Sequence, residues 1–162
     1  MIVYHGSNTV ICQPDVLHSY RPLDFGKGFY VTDNLTQAEQ WAIRKCLIIG
    51  EGTAAVNEYQ FNEDYSGLKV KTFDDDLIEW IDFVCLCRDG SDIYKQYDII
   101  IGRVANDKVF RVVDRYHSSE WDRDKALKEI RVYPNYSQIS FVTQKAVDQV
   151  LIYKGYREVT SL

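Results

Sequence analysis

The chain has 162 residues, 46% of them hydrophobic and 27% charged, enough to build a core without disulfide or metal staples. Its formal net charge of −5 argues against a broad basic face that grips nucleic acid through the phosphate backbone, leaving room only for a local patch. The opening Met1-Ile2-Val3-Tyr4-His5 has neither a charged leader nor a long apolar stretch, and no window reaches membrane-spanning length, so the expectation is a cytoplasmic protein with no membrane partner. Cys12, Cys46, Cys85 and Cys87 then read as reduced thiols. Zinc is not expected, because Cys85-x-Cys87 lacks the two-residue spacer of common knuckles and no histidine pair lies near it.

No repeat, low-complexity stretch or Pro/Gly-rich linker divides the sequence, which predicts one domain over residues 1–162. Residues 2–5 predict a short strand, and a loop with Pro14, Pro22 and Gly26 leads to a second strand over 29–32. Asp33-Asn34 offers capping oxygens to a helix over about 35–47, which Gly50 and Gly52 end. Strands are expected at 55–61 and 68–73. The triplet Asp74-Asp75-Asp76 suits the start of a helix carried by Leu77, Ile78, Ile81, Val84 and Cys85, or else a divalent-cation cluster. Residues 97–102 read as a buried strand, and Ser118-Ser119 as the cap of a helix through Trp121, Leu127 and Ile130 that stops before Pro134. The tail predicts a strand at 138–142, a Thr143-capped helix to about 150 and a last strand at 151–156.

Two segments carry the chemistry. In Phe25-Gly26-Lys27-Gly28-Phe29-Tyr30, glycines flank a lysine ahead of a strand; such spacing serves either a close backbone approach to a ligand or a tight turn that feeds a core strand with Tyr30 buried. His5-Gly6-Ser7, at a strand end, is either a hydrogen-bonded structural histidine or part of a site. Together they resemble the catalytic domain of the poly(ADP-ribose) polymerases and, more loosely, diphtheria toxin, in the ADP-ribosyltransferase superfamily. Those domains carry a strand-end His-Gly-Ser or His-Gly-Thr, a Phe-Gly-Lys-Gly-Ile-Tyr-like segment, and an aromatic on the next helix, matched here by Trp41. The chain as a whole also looks like a group of compact bacterial proteins placed in that superfamily.

The resemblance implies an α+β fold, a split β-sandwich of two mostly antiparallel sheets with flanking helices, and NAD⁺ as co-substrate. It implies that Gly6 holds the nicotinamide carboxamide through its backbone, that His5 and Ser7 contact ribose hydroxyls, that Gly28 lets the backbone come close, and that Tyr30 and Trp41 stack on the ring. Arg21 or Lys27 either pairs with the pyrophosphate or stays solvated. The family's late-strand glutamate is replaced by Gln138, making His5, Tyr30 and Gln138 the signature triplet; a serine that often bonds the carboxamide is replaced by Ala38.

Glutamine positions a ribose but supplies no charge to an oxocarbenium-like sugar, which argues against polymer elongation. The expected activity is mono-ADP-ribosyl transfer to a protein or nucleic-acid acceptor with release of nicotinamide; the alternative is a weak or inactive NAD⁺ or ADP-ribose-binding module. Glu58, Glu120 and Asp148 are the acids to look for in the cleft. A toxin held by an inhibitory partner protein, or a phage-defence factor, is the expected setting at family level. A hydrolase built on His5 or His117 with Ser7, Cys12 or Asp114 finds no supporting motif.

Overall fold

A computed structural model describes residues 1–18, 23–74, 77–105 and 107–160. In chain order they form β1 (Ile2–Ser7), β2 (Phe29–Thr32), α1 (Leu35–Ile49), β3 (Ala55–Phe61), β4 (Val70–Thr72), α2 (Leu77–Arg88), β5 (Ile99–Arg103), α3 (Asp107–His117), α4 (Arg123–Ile130), β6 (Ser137–Phe141), α5 (Gln144–Val150) and β7 (Leu151–Glu158). A 3₁₀ turn at Ile93–Gln96 precedes β5. The strands make one mixed sheet in the order β4-β5-β6-β2-β1-β3-β7. Only β4 and β5 run parallel; the other neighbours are antiparallel.

The ladders are uneven. β1 pairs with β3 from Ile2 opposite Gln60 to Ser7 opposite Ala55, yet with β2 only at Tyr4 opposite Thr32. The expected two sheets are thus joined in one, whose β4-β5-β6-β2 and β1-β3-β7 portions meet through that single pair.

Directly paired residues share a face, and neighbours along a strand alternate. Tyr4, Gly6, Tyr30, Thr32, Gln138 and Ser140 therefore look one way, and Val3, His5, Ser7, Phe29 and Val31 the other. The second face closes on α5: Val3, Phe29, Val31, Tyr59, Phe61, Ile139 and Phe141 cluster with Ala146, Val147 and Val150. On the first face Tyr30 and Ile100 join Trp80, Ile81 and Val84 of α2, Val109 and Val113 of α3, and Leu127 and Ile130 of α4. Helix α1 lies over the β1 end of that face. Its Ala38 and Ala42 come so close that a Cβ on Gly6 would stand 2.0 Å from the Ala38 carbonyl oxygen.

Local chemistry explains most boundaries. Asn34 caps α1 by accepting from Gln37 N–H, and Gly50, at φ 80°, ends it by donating to the Cys46 carbonyl. Thr143 caps α5. α4 starts later than Ser118-Ser119 predicts: Asp122 is the cap, accepting from Lys125 N–H at 2.8 Å, while Ser119 takes φ 64° in the turn after α3. α3 has no predicted counterpart, since Val109, Val112 and Val113 form a narrow buried stripe among charged residues. Of the acidic triplet, Asp75 and Asp76 lie outside the described residues, and α2 begins at Leu77.

The loop before β2 is fixed by Gly26. Leu23 and Gly26 exchange backbone hydrogen bonds, Gly26 sits at φ 80°, and a Cβ there would come within 2.2 Å of the Tyr94 ring. Gly26→Ala is expected to lower the unfolding free energy in urea by about 2 kcal/mol or more, from left-handed backbone strain plus overpacking. An unchanged urea midpoint would contradict this packing.

Candidate functional site at the β1–β2 seam

The seam can be built from backbone direction alone. Met1 C=O accepts from Phe61 N–H at 2.8 Å, so the odd-numbered residues of β1 direct their amides toward β3 and the even-numbered ones toward β2. After Tyr4, the next residue facing β2 is Gly6, and its natural partner would be Tyr30. That step of the ladder is missing. The Tyr30 carbonyl is instead taken by the His5 imidazole, whose Nδ1 lies 2.6 Å away. Gly6 is left without a paired residue on β2, buried beneath Ala38 and Ala42 of α1.

A carbonyl only accepts, so Nδ1 carries the proton and Nε2 keeps the lone pair. The ring stacks on Phe29 with centroids 4.3 Å apart and planes inclined by 23°. Burial pushes the His5 pKa down to about 4; the Tyr30 carbonyl opposes that, and nearby Lys45 adds to it. The histidine is neutral at pH 7, and its Nε2 has no hydrogen-bond partner among the described residues.

The other sequence-predicted residues take varied places. Tyr30 is 6% exposed, and its hydroxyl donates to Gly26 C=O at 2.6 Å and accepts from Phe25 N–H at 3.0 Å. Burial raises its pKa well above the ordinary tyrosine value, and the Asp24 carboxylate adds to the shift. The ring lies in the core beside Phe25 and Trp80, so it closes the glycine loop and offers no exposed stacking face. Trp41 is half-buried on α1, one turn beyond the Ala38 that abuts Gly6. Ser7 is buried, with its hydroxyl 3.5 Å from Asn8 Oδ1. At Gly28 a Cβ would meet Ser140 Oγ at 2.6 Å. Lys27 is exposed, and Arg21 lies outside the described residues.

Gln138 is buried on the face opposite His5, with β2 between their strands. Its Nε2 donates to Asp24 Oδ2 at 3.1 Å and to the Arg103 carbonyl at 3.2 Å. The acid beside Gln138 is thus Asp24. Glu58 pairs with Arg157, Asp148 accepts from Gln144, and Glu120 is exposed. Asp24 immediately precedes the glycine segment, and that adjacency is the one sequence signal that could have found it. Lys45, which no sequence motif marks, is half-buried four residues beyond Trp41 on α1, and burial lowers its pKa.

Two of the hydrolase candidates are engaged elsewhere: His117 bonds Asp89 at 2.8 Å and Asp114 faces Arg88 at 3.6 Å. Two open concavities, one lined by Gln60, Asn62 and Ile152 and the other by Asp33, Tyr65 and Ile139, share Met1, Phe61 and Glu63 at the opposite end of β1 from Gly6. We place the site by backbone chemistry at the seam, because those concavities gather no comparable set of functional groups. No helix among the described residues is long and apolar enough to cross a membrane.

Fold and site together define an α+β protein whose mixed sheet is interrupted beside a His-Gly-Ser strand end. The chain belongs to the family described as Protein of unknown function (DUF3990), whose model matches residues 1–152. No curated protein and no solved structure matches it.

The depressed His5 pKa fixes a pH dependence. Because the folded value is about 4 against an ordinary 6.5, the unfolded chain takes up a proton first as pH falls. The contribution is full above pH 6.5 and is lost on acidification toward pH 4, on the order of 3 kcal/mol. NMR titration of His5 should give a midpoint near 4; a midpoint near 6.5 would contradict the neutral, half-buried ring.

Proposed function

We propose that this chain binds NAD⁺ along the β1–β2 seam and transfers its ADP-ribose to a nucleophilic protein or nucleic-acid acceptor, releasing nicotinamide. The carrying observation is the interrupted ladder at Gly6, which has no paired residue on β2 while His5 holds the Tyr30 carbonyl, so that its backbone N–H and C=O are the groups proposed to take the ligand. A carboxamide offers the complementary acceptor and donor in one plane, so two hydrogen bonds fix the ring's rotation.

The neighbouring groups suit the rest of the dinucleotide. His5 Nε2 accepts from a ribose hydroxyl, Trp41 supplies an aromatic surface beside Ala38, and Lys45 places a cation near His5 for the pyrophosphate. On this reading the single Tyr4–Thr32 pair marks the hinge of a split sandwich, and the ligand enters where the two portions part. His5 and Gln138 lie on opposite faces, so a ligand touching both threads the opening. Loss of nicotinamide leaves an electron-poor sugar. Gln138 orients that sugar without adding charge, which favours slow, single transfer over polymer elongation.

The sealed Tyr30 ring favours a second reading, an NAD⁺ or ADP-ribose-binding module in which the same edge captures ligand without turnover. Incubation with NAD⁺ in buffer and in host lysate, with nicotinamide followed chromatographically, separates the two. Transfer predicts release that falls at least about tenfold in His5→Ala, the worth of one net hydrogen bond. Binding by calorimetry without release selects the module, and absence of binding overturns both.

A further inference from the structure

The Gln138 amide is oriented without ambiguity. Both partners of its Nε2, the Asp24 carboxylate and the Arg103 carbonyl, only accept hydrogen bonds, so both amide protons are engaged there. Its Oε1 receives no hydrogen bond among the described residues, and it is not one of the atoms sealed from solvent without a partner, which are Arg88 Nη1, Arg103 Nε and Ser140 Oγ. Asp24 is itself held at both oxygens: Arg88 Nη2 stands 3.1 Å from Oδ1, and Ala105 N–H donates to Oδ2 at 3.0 Å. Arg88 is fixed in turn by the Phe110 ring, 4.0 Å from its guanidinium carbon.

A rigid chain therefore runs from guanidinium through carboxylate to amide. An amide that donates to a carboxylate gathers electron density on its carbonyl oxygen, which becomes the stronger acceptor. A glutamate at 138 would instead set a second carboxylate against Asp24, where like charges oppose one another. Glutamine is the residue this surrounding accepts.

We infer that Asp24 is a positioning residue: it locks Gln138 so that only Oε1 is presented, as an acceptor for the 2′-hydroxyl of the nicotinamide ribose. The hydroxyl-holding part of a carboxylate's task is retained without its charge. This inference rests on the NAD⁺ reading above. When Asp24 becomes asparagine, one accepting oxygen is replaced by a donating NH₂, and Gln138 is free to turn its Oε1 toward that amide and its own NH₂ toward the ligand.

The test is calorimetry of NAD⁺ and of its analogue lacking the nicotinamide-ribose 2′-hydroxyl, on the wild type, Asp24→Asn and Gln138→Met, with melting curves for each. The wild type is expected to prefer NAD⁺ about tenfold, one net hydrogen bond, and both variants to bind the two ligands within about twofold of each other. Asp24→Ser takes the place of Asp24→Asn should the latter not fold. General destabilisation weakens both ligands alike and leaves their ratio intact. A wild type that binds both equally, or an Asp24→Asn protein that keeps the full preference, overturns the inference while the NAD⁺ reading stands. A wild type that binds neither ligand overturns that reading itself.

Discussion

One hydrogen bond organises this molecule's distinctive region: His5 Nδ1–H to the Tyr30 carbonyl, 2.6 Å long. A backbone carbonyl on a central strand ordinarily belongs to its neighbour's ladder. Here a side chain takes it. The ladder stops after one pair, the two parts of the sheet are joined at Tyr4–Thr32 alone, and Gly6 has no paired residue on β2. Charging the imidazole inside this packed setting is opposed by burial, so the bond is made by a neutral ring with a defined tautomer.

The surrounding elements make that arrangement hard to relax. Phe29 stacks on the imidazole from the α5 side of the sheet, while Ala38 and Ala42 press α1 onto Gly6 from the other. β2 is held on its far side by full pairing with β6, from Phe29 opposite Phe141 to Thr32 opposite Gln138. The Tyr30 hydroxyl closes the loop that carries Asp24, and Asp24 reaches Gln138, Arg88 and Ala105. The glycine segment thus works mainly through its loop geometry and its backbone, and its tyrosine is a structural clasp. The placement of the clasp sets the acid against the amide on β6.

Much of this was legible in the residues, for identifiable reasons. Strands 29–32 and 55–61, the caps at Asn34 and Thr143, and the stop at Gly50 follow from short-range chemistry, which a sequence displays directly. α3 escaped because its buried face is three valines wide in a charged stretch, and α4 was started early because Ser118-Ser119 offers the same cap chemistry as Asp122. At the seam, the motif marks His5, Gly6 and Tyr30, but the face each side chain takes depends on strand register. Register puts Tyr30 in the core and Gln138 on the face opposite His5. Asp24 and Lys45 come to the site through a loop closure and a helix packing, neither of which leaves a pattern along the chain.

The measurement closest to the heart of this structure is amide hydrogen exchange at Gly6, followed by NMR with and without NAD⁺. An open edge requires the Gly6 amide to exchange at least about tenfold faster than those of Val3 and His5, which pair with β3, and to slow when NAD⁺ is added. A Gly6 amide as protected as its neighbours in the free protein, and unmoved by NAD⁺, would mean that the seam is closed and the ligand site lies elsewhere.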